Sequence, residues 1–427
     1  MATIELWKPL LENSEGIRTV NFFNGRLLTG NDLKSEQQAQ RDADQQLGIA
    51  LGAGIARGLE VSDAPASTKQ DPVVTVKAGL AINRLGQTLA IKQAVDVRIV
   101  PQQAANTTKT GEFGTCEWVS GEPYIAGPRL NVLTIAPAKG NQGSAQVSGL
   151  DPVNVRCNSN VQVETVQFRL LPFSPTLLEE LQKDDPELQR LRNRLAYRCF
   201  GADQLAKFLT DPFGTDASSF GLLDTLSVTG YTEADVPLAI LYLTATKGLV
   251  FVDNWPVRRR LCAPDSSPTW SPLLGDRRRT EGEAMFLQFQ DHIDALWKPR
   301  NGRMNIKARD VFDYLPPVGI LPVIDDKQPA GFDPEAFFSG LTTRGPMFID
   351  EAKLEYLIRC ALAFPPIAAN RGELIWTYKV VANATAIASK TGNPHTYLVF
   401  ASGHMPYLAD ARLDTARSGY SNLALDR

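Results

Sequence analysis

The sequence predicts an α+β, multi-domain chain of mostly antiparallel β modules, with an N-terminal helical arm and interspersed helices. Three observations carry that prediction. A proline-free polar stretch runs from Leu33 to Leu51. Short runs of alternating apolar and polar residues recur between turn residues, as half-buried strands require. At 427 residues, the chain is too long for one ordinary core.

The arm comes first. Thr29 or Asn31 can cap the first amides of its helix, and Asp32 adds negative charge to the first turn. The apolar positions are few: Leu33, Ala39, Ala43, Leu47, Ala50 and Leu51. Lys34, Gln37, Gln38, Arg41, Asp42 and Gln45 form the other face. So narrow a stripe buries little for a long helix. Two readings stand: a solvated helix packed on its own domain by one edge, or an assembly helix whose polar face meets another subunit. Gly52, Gly54 and Gly58 then release the chain into a strand.

Residues 73–100 read as three or four short strands, with Asn83-Arg84-Leu85-Gly86 as a hairpin connection. The first segment, 1–105, is therefore a helical arm plus a small β module. Residues 102–125 are polar and rich in Gly and Thr, and read as a linker or a long loop. Asn131–Ile135 and Val161–Leu171 read as strands, with a loop over Gly140–Gly149. Asp185-Pro186 reads as a helix start, and Leu188, Leu191 and Leu195 give that helix one buried stripe. The second segment, 126–230, is this β element and its helices.

The third segment, 231–427, is a C-terminal α+β domain. It opens on a buried strand from Val236 to Thr244, whose hairpin partner is Leu249–Val252. A helix from Glu281 to Trp297 lines up Phe286, Phe289, Ile293 and Leu296, and Pro299 stops it. Pro316, Pro317 and Pro322 force an extended path. Asp333 and Asp350 cap short helices, and Leu374–Val381 and Thr396–Ala401 return as strands.

Composition narrows the function. Hydrophobic residues make up 43% and the net charge is -3, so the chain builds real cores and offers no general basic field to nucleic acid. No run approaches the length of a membrane span, and no export signal is expected at the N-terminus. Cys116, Cys157, Cys199, Cys262 and Cys360 lie 41, 42, 63 and 98 residues apart, which is neither a zinc pattern nor a disulfide framework. Assembly in the cytoplasm is expected.

Catalytic patterns fail when tested. The glycines at 52, 54 and 58 follow a helix and precede a strand, the reverse of a phosphate-binding unit. The histidines are His292, His395 and His404. A metal pair across the turn between the last two lacks any supporting acidic motif. No G-x-S-x-G elbow exists. Glu179-Glu180 and Asp184-Asp185 read as helix-start and solvated-face charges rather than a glycosidase pair. No catalytic residue, metal or cofactor is expected. The triplets Arg258-Arg259-Arg260 and Arg277-Arg278-Arg279 are the strongest charge feature. They read either as a dock for an acidic partner or phosphate, or as solvated turns paired with Asp253, Asp265, Asp276 and Glu281.

Several stretches resemble one family. NFFNGRLLTGNDLKSEQ, GIARGLEV and VTVKAGLAINRLGQTLAI are similar to the N-terminal part of proteins encoded with phage-tail-like contractile injection systems. VPLAILYLT, FVDNWPVRRRL, DYLPPVGILPV and YLVFASGHMPYLADARLD look like later segments of the same proteins. The resemblance touches residues 19 to 413 in patches. It implies a structural subunit at or around the baseplate, not an enzyme. Its partners would be other subunits of the particle, and further copies of itself if it forms a symmetric ring. One departure is that relatives carry basic and aromatic residues late in the arm helix, where this chain has Asp44-Gln45-Gln46 and small residues through Ala56.

The expected contact residues are Phe22, Phe23, Arg26 and Leu27 on the arm, and Arg258, Arg259 and Arg260. Phe22, Phe23 and Leu27 are expected to anchor the arm on its own β module or on a neighbour. Two other functions would fit a tail particle. A receptor- or glycan-binding protein would show a groove of exposed Trp and Tyr in the C-terminal region. A cell-wall hydrolase would show a pocket with convergent carboxylates, one held protonated.

Overall fold

A computed structural model describes residues 16–99, 129–147, 156–183, 188–214, 220–263, 270, 276–297, 302–324, 330–381 and 397–405. The linker expected over 102–125, the helix start at Asp185-Pro186, the stop at Pro299, His395 and the polar tail lie outside the described residues.

Helix α1 (Gly30–Leu51) begins where the sequence predicts. Thr29 is its N-cap, and Thr29 and Asp32 bond each other reciprocally in a capping box. Six short strands follow: β1 (Gly54–Gly58), β2 (Val61–Asp63), β3 (Val73–Val76), β4 (Gly79–Ile82), β5 (Thr88–Ile91) and β6 (Val95–Arg98). They form two antiparallel sheets, ordered β1-β4-β5 and β2-β3-β6.

Strands β7 (Arg129–Val147), β8 (Arg156–Pro172), β9 (Val236–Thr244) and β10 (Gly248–Asp253) make one antiparallel sheet in the order β10-β9-β7-β8. Its strands come from both sides of residue 230. The expected loop over Gly140–Gly149 is instead largely strand: β7 stays paired with β8 through Gly140↔Val163 and on to Val147↔Arg156. Pairing with a strand that alternates well overrides the weak β propensity of a Gly/Asn/Ser run.

Both faces of this sheet are covered. Leu133, Ile135, Leu238 and Leu241 pack with Ile55, Leu59, Val74 and Val76 of the small sheets. Leu130, Val132, Ile240 and Tyr242 face α2 (Pro175–Lys183) and α3 (Leu191–Phe200), meeting Leu181, Leu191 and Leu195. Double burial is why Val236–Thr244 reads as an almost unbroken apolar run. α4 (Ala202–Thr210) follows α3 through Gly201.

The remaining described residues pack around α5 (Asp276–Trp297). β13 (Val318–Pro322), β15 (Thr342–Asp350), β17 (Leu374–Val381) and β18 (Tyr397–Ser402) form a sheet ordered β13-β18-β17-β15, in which only the β15–β17 pair is parallel. β11 (Arg303–Met304) pairs parallel with β14 (Gly331–Phe332), and β12 (Tyr314–Leu315) antiparallel with β16 (Ile367–Ala368). Short helices α6 (Ala308–Val311), α7 (Pro334–Phe337) and α8 (Leu354–Ala361) connect them. Phe289 and Ile293 of α5 are buried with Phe312, Phe332, Phe337 and Phe400. The described residues thus form the mixed, mainly antiparallel α+β fold that the sequence predicts.

Candidate subunit interface

The described N-terminal arm consists of a leader over residues 16–29 and α1. The leader turns at Phe23–Arg26, where the Arg26 amide donates to the Phe23 carbonyl (3.1 Å) and Gly25 takes φ 93°. The Arg26 guanidinium locks the turn, donating to the Asn21 carbonyl (2.8 Å) and to Asp32 (2.5 Å). Thr29 and then Arg26 hold the Asp32 carboxyl below the usual carboxylate range. The Val20 amide donates back to Glu36 (3.1 Å), laying the leader along the helix.

The aromatic pair does not anchor the arm on its own β module. Phe22 is 51% exposed, Phe23 63% and Leu27 86%. Leu28 is also exposed. The turn is fixed by polar bonds, and its apolar side chains are presented outward.

The large apolar residues of α1 do not form its inward edge. Its buried residues are the small Ala39 and Gly48. Arg41 pairs with Glu164 of β8 (3.0 Å), and Gly48 lies directly over the Gly86 turn between β4 and β5. Leu33, Leu47 and Leu51 stay on the outside. Counting apolar residues could not reveal this, because the contact is made by backbone approaching backbone.

The arginine triplets lie elsewhere, at the foot of the arm. The Arg259 carbonyl accepts from Ile55 of β1 (2.8 Å), and Arg260 bridges to the same residue. Arg258 is buried, donates to the Gly58 carbonyl, pairs with Glu60 (3.5 Å) and lies over the Trp255 ring. Arg259 donates to the carbonyls of Trp255 (2.7 Å), Arg258 (2.8 Å) and Pro256 (3.2 Å) and stacks on Phe200. Burial pushes both guanidinium pKa values down. These two side chains are fold-internal bolts, neither a docking face nor a solvated turn. Arg260 alone is exposed, and it pairs with Glu283 (3.0 Å). In the second triplet, Arg277 meets Asp224 and Glu281, and Arg278 is buried against the Phe364 carbonyl (2.9 Å).

A cavity of about 420 Å³ opens where the arm, β4 and both triplets converge. Part of its charged lining is paired within the cavity: Arg84 and Arg277 share Asp224, and Arg277 also holds Glu281. Cys199 lines it too, but burial pushes that thiol up to about 12, which keeps it protonated and a poor nucleophile. The Asp291 carboxyl is held high by burial and then by neighbouring Asp253; it accepts from Trp255 (2.9 Å) and lines no part of this cavity. Among the described residues, no group of three or more His, Cys, Asp or Glu side chains is placed to hold a metal, and no helix is long and apolar enough to cross a membrane. His292 is buried and His404 exposed.

No family model matches this chain, and no curated protein does. A solved structure described as "Crystal structure of TssK" is similar over 49% of this chain and 53% of its own, with 13% identity and a TM-score of 0.21. The overlap spans about half of each chain and is too loose to bear on function.

Proposed function

We propose that this chain is a structural subunit at the baseplate periphery of a phage-tail-like contractile injection system, bound to neighbouring subunits through its N-terminal arm. The observation that carries the proposal is the leader: a turn held by Arg26, Asp32 and Thr29 that presents Phe22, Phe23, Leu27 and Leu28 to the outside. Apolar side chains clustered on a polar, well-braced scaffold mark a protein-docking site. The sequence resemblance supplies the kind of particle. Multi-copy particles join subunits through large interfaces, to which such an arm contributes.

The test is co-expression with the particle genes. Removing residues 1–50 should abolish incorporation while the remaining chain is still recovered folded. A truncated chain that still co-purifies with the particle refutes the proposal. No observation favours the rival readings. Among the described residues of the C-terminal region, Trp376 is buried, Trp255 is half-buried against Asp291, and Tyr356 stands exposed on α8.

A further inference from the structure

Among the described residues, nothing covers one line of side chains on helix α1. Leu33, Gln37, Gln40, Asp44, Leu47 and Leu51 are all exposed. They are spaced four, three, four, three and four residues apart. Alternating three- and four-residue steps put side chains on the seam of a two-helix coiled coil. The leader flanks this line on one side, at Glu36, and Arg41, Gln45 and Gly48 close the other side against the body. Neither reaches the seam: Leu33, Leu47 and Leu51 are 54%, 65% and 59% exposed.

The seam has the same spacing read in either direction, with its centre at Asp42, which points to the opposite side of the helix. Two antiparallel copies therefore align in one register. Leu33 meets Leu51 of the partner subunit, Gln37 meets Leu47 of the partner subunit, and Gln40 meets Asp44 of the partner subunit. Gln40 already donates to Asp44 of its own chain (3.3 Å), and its amide has a second N–H for the carboxylate across the seam. The parallel in-register alternative sets Asp44 against its own copy, a like-charge pair in a partly dry seam, which disfavours it. The polar centre thus selects orientation, as polar seam residues do in coiled coils.

We propose that α1 is a self-pairing helix: two copies of this chain associate through antiparallel α1 seams, closed by leucines at both ends and registered by Gln40 and Asp44 at the centre. The contact is isologous, with each copy giving the same surface. It rests on the reading of the arm as an assembly surface and names a second copy as one occupant. The leader aromatics remain for a different neighbour. The seam is short and half polar, so pairing is concentration-dependent in the free protein and reinforced by multivalency in a particle.

Sedimentation velocity on the full chain tests the pairing. The wild-type chain should shift from monomer to dimer as concentration rises. Leu47→Glu with Leu51→Glu should remain monomeric with unchanged melting, since both sites are exposed. Oxidative cross-linking tests the orientation. Gln40→Cys chains mixed with Asp44→Cys chains should give mainly the mixed disulfide, with the unsubstituted chain as control for native thiols. A wild-type chain that is monomeric throughout overturns the inference, as does Gln40→Cys joining itself as readily as it joins Asp44→Cys. A monomeric chain that still enters particles overturns self-pairing and leaves the assembly reading intact. A chain that pairs but never enters particles supports self-pairing and overturns the assembly reading alone.

Discussion

Gly48 of α1 and Gly86 of the β4–β5 turn meet backbone against backbone: a β-carbon on Gly48 would lie 2.1 Å from the Gly86 carbonyl oxygen. The approach is two-sided, because a β-carbon on Gly86 would come 2.0 Å from the Gln45 carbonyl oxygen. This contact and the Arg41–Glu164 pair seat the helix on the body. It follows that Gly48→Ala should loosen the arm. Alanine gains about 1 kcal/mol of helix propensity. Overpacking against a fixed backbone costs about 1–3 kcal/mol, so the seat loses. Limited proteolysis near residues 52–54 should speed up in the variant while the global melt moves little. Unchanged cleavage would mean that the helix is seated by something else.

Arg258 should matter to stability rather than to partners. Arg258 is 5% exposed, and its guanidinium donates to the Gly58 carbonyl at the end of β1. Hydrogen bonds to charged groups contribute about 1.5–3 kcal/mol. Glu60 is 42% exposed, so its pair with Arg258 is screened and adds little. Arg258→Ala should therefore cost about 2 kcal/mol by urea unfolding. Arg258→Lys should recover only part, because an ammonium cannot reproduce the fork over Trp255. A neutral Arg258→Ala would reopen the triplet as a surface feature.

Much of the architecture was legible because it rests on local rules. Thr29 as one of the two candidate caps, the Asn83–Gly86 turn, the α5 face of Phe289 and Ile293, and the proline-broken path through Tyr314–Pro322 all lie where local sequence rules put them. The misreadings share a physical cause. Burial of Arg258 depends on Gly58, two hundred residues away in sequence. The inward edge of α1 depends on two glycines coinciding in space. Strand β7 crosses a loop-like composition because β8 supplies the pairing. Single-sequence periodicity carries none of these long-range conditions. The apolar leader was legible as a surface of interest, but its full outward display was not, because turn chemistry fixes the chain and leaves side-chain direction open.

His292 gives the fold an acid-side sensitivity. It is buried in α5 with its ring 4.9 Å from that of Phe312, and burial holds its pKa well below the ordinary 6.5, with Arg192 acting in the same direction. The unfolded chain therefore takes up the proton first. The stabilising contribution of a neutral His292 is complete above about pH 6.5 and is lost as pH falls below it toward the folded-state value. One proton corresponds to about 1.4 kcal/mol per pH unit. Urea midpoints measured from pH 7 down to 5 should fall more steeply for the wild type than for His292→Leu. Parallel slopes would show that His292 is not the group responsible.

Phe22, Phe23 and Leu27 separate binding from folding. They are exposed and stand on a turn whose bonds come from Arg26, Thr29 and Asp32, not from the aromatic rings. Exposed substitutions away from caps and cores usually change stability by less than about 0.5 kcal/mol. Phe22→Ser, Phe23→Ser and Leu27→Ser combined should therefore leave the melting temperature and the α1 dimer unchanged. Buried aromatic anchors dominate protein interfaces, with truncations costing about 2 kcal/mol or more each at hot spots. If these residues are such anchors, the triple variant should lose capture by the particle at least a thousandfold, since two such losses already exceed about 4 kcal/mol. Arg26→Ala makes the complementary case. It leaves the apolar side chains in place but removes the clamp from the Asn21 carbonyl and Asp32, so it should weaken capture less, through lost preorganisation rather than lost contact. Equal capture by the triple variant and the wild type would leave the leader as mere exposed surface and remove the ground for placing this chain against a neighbour.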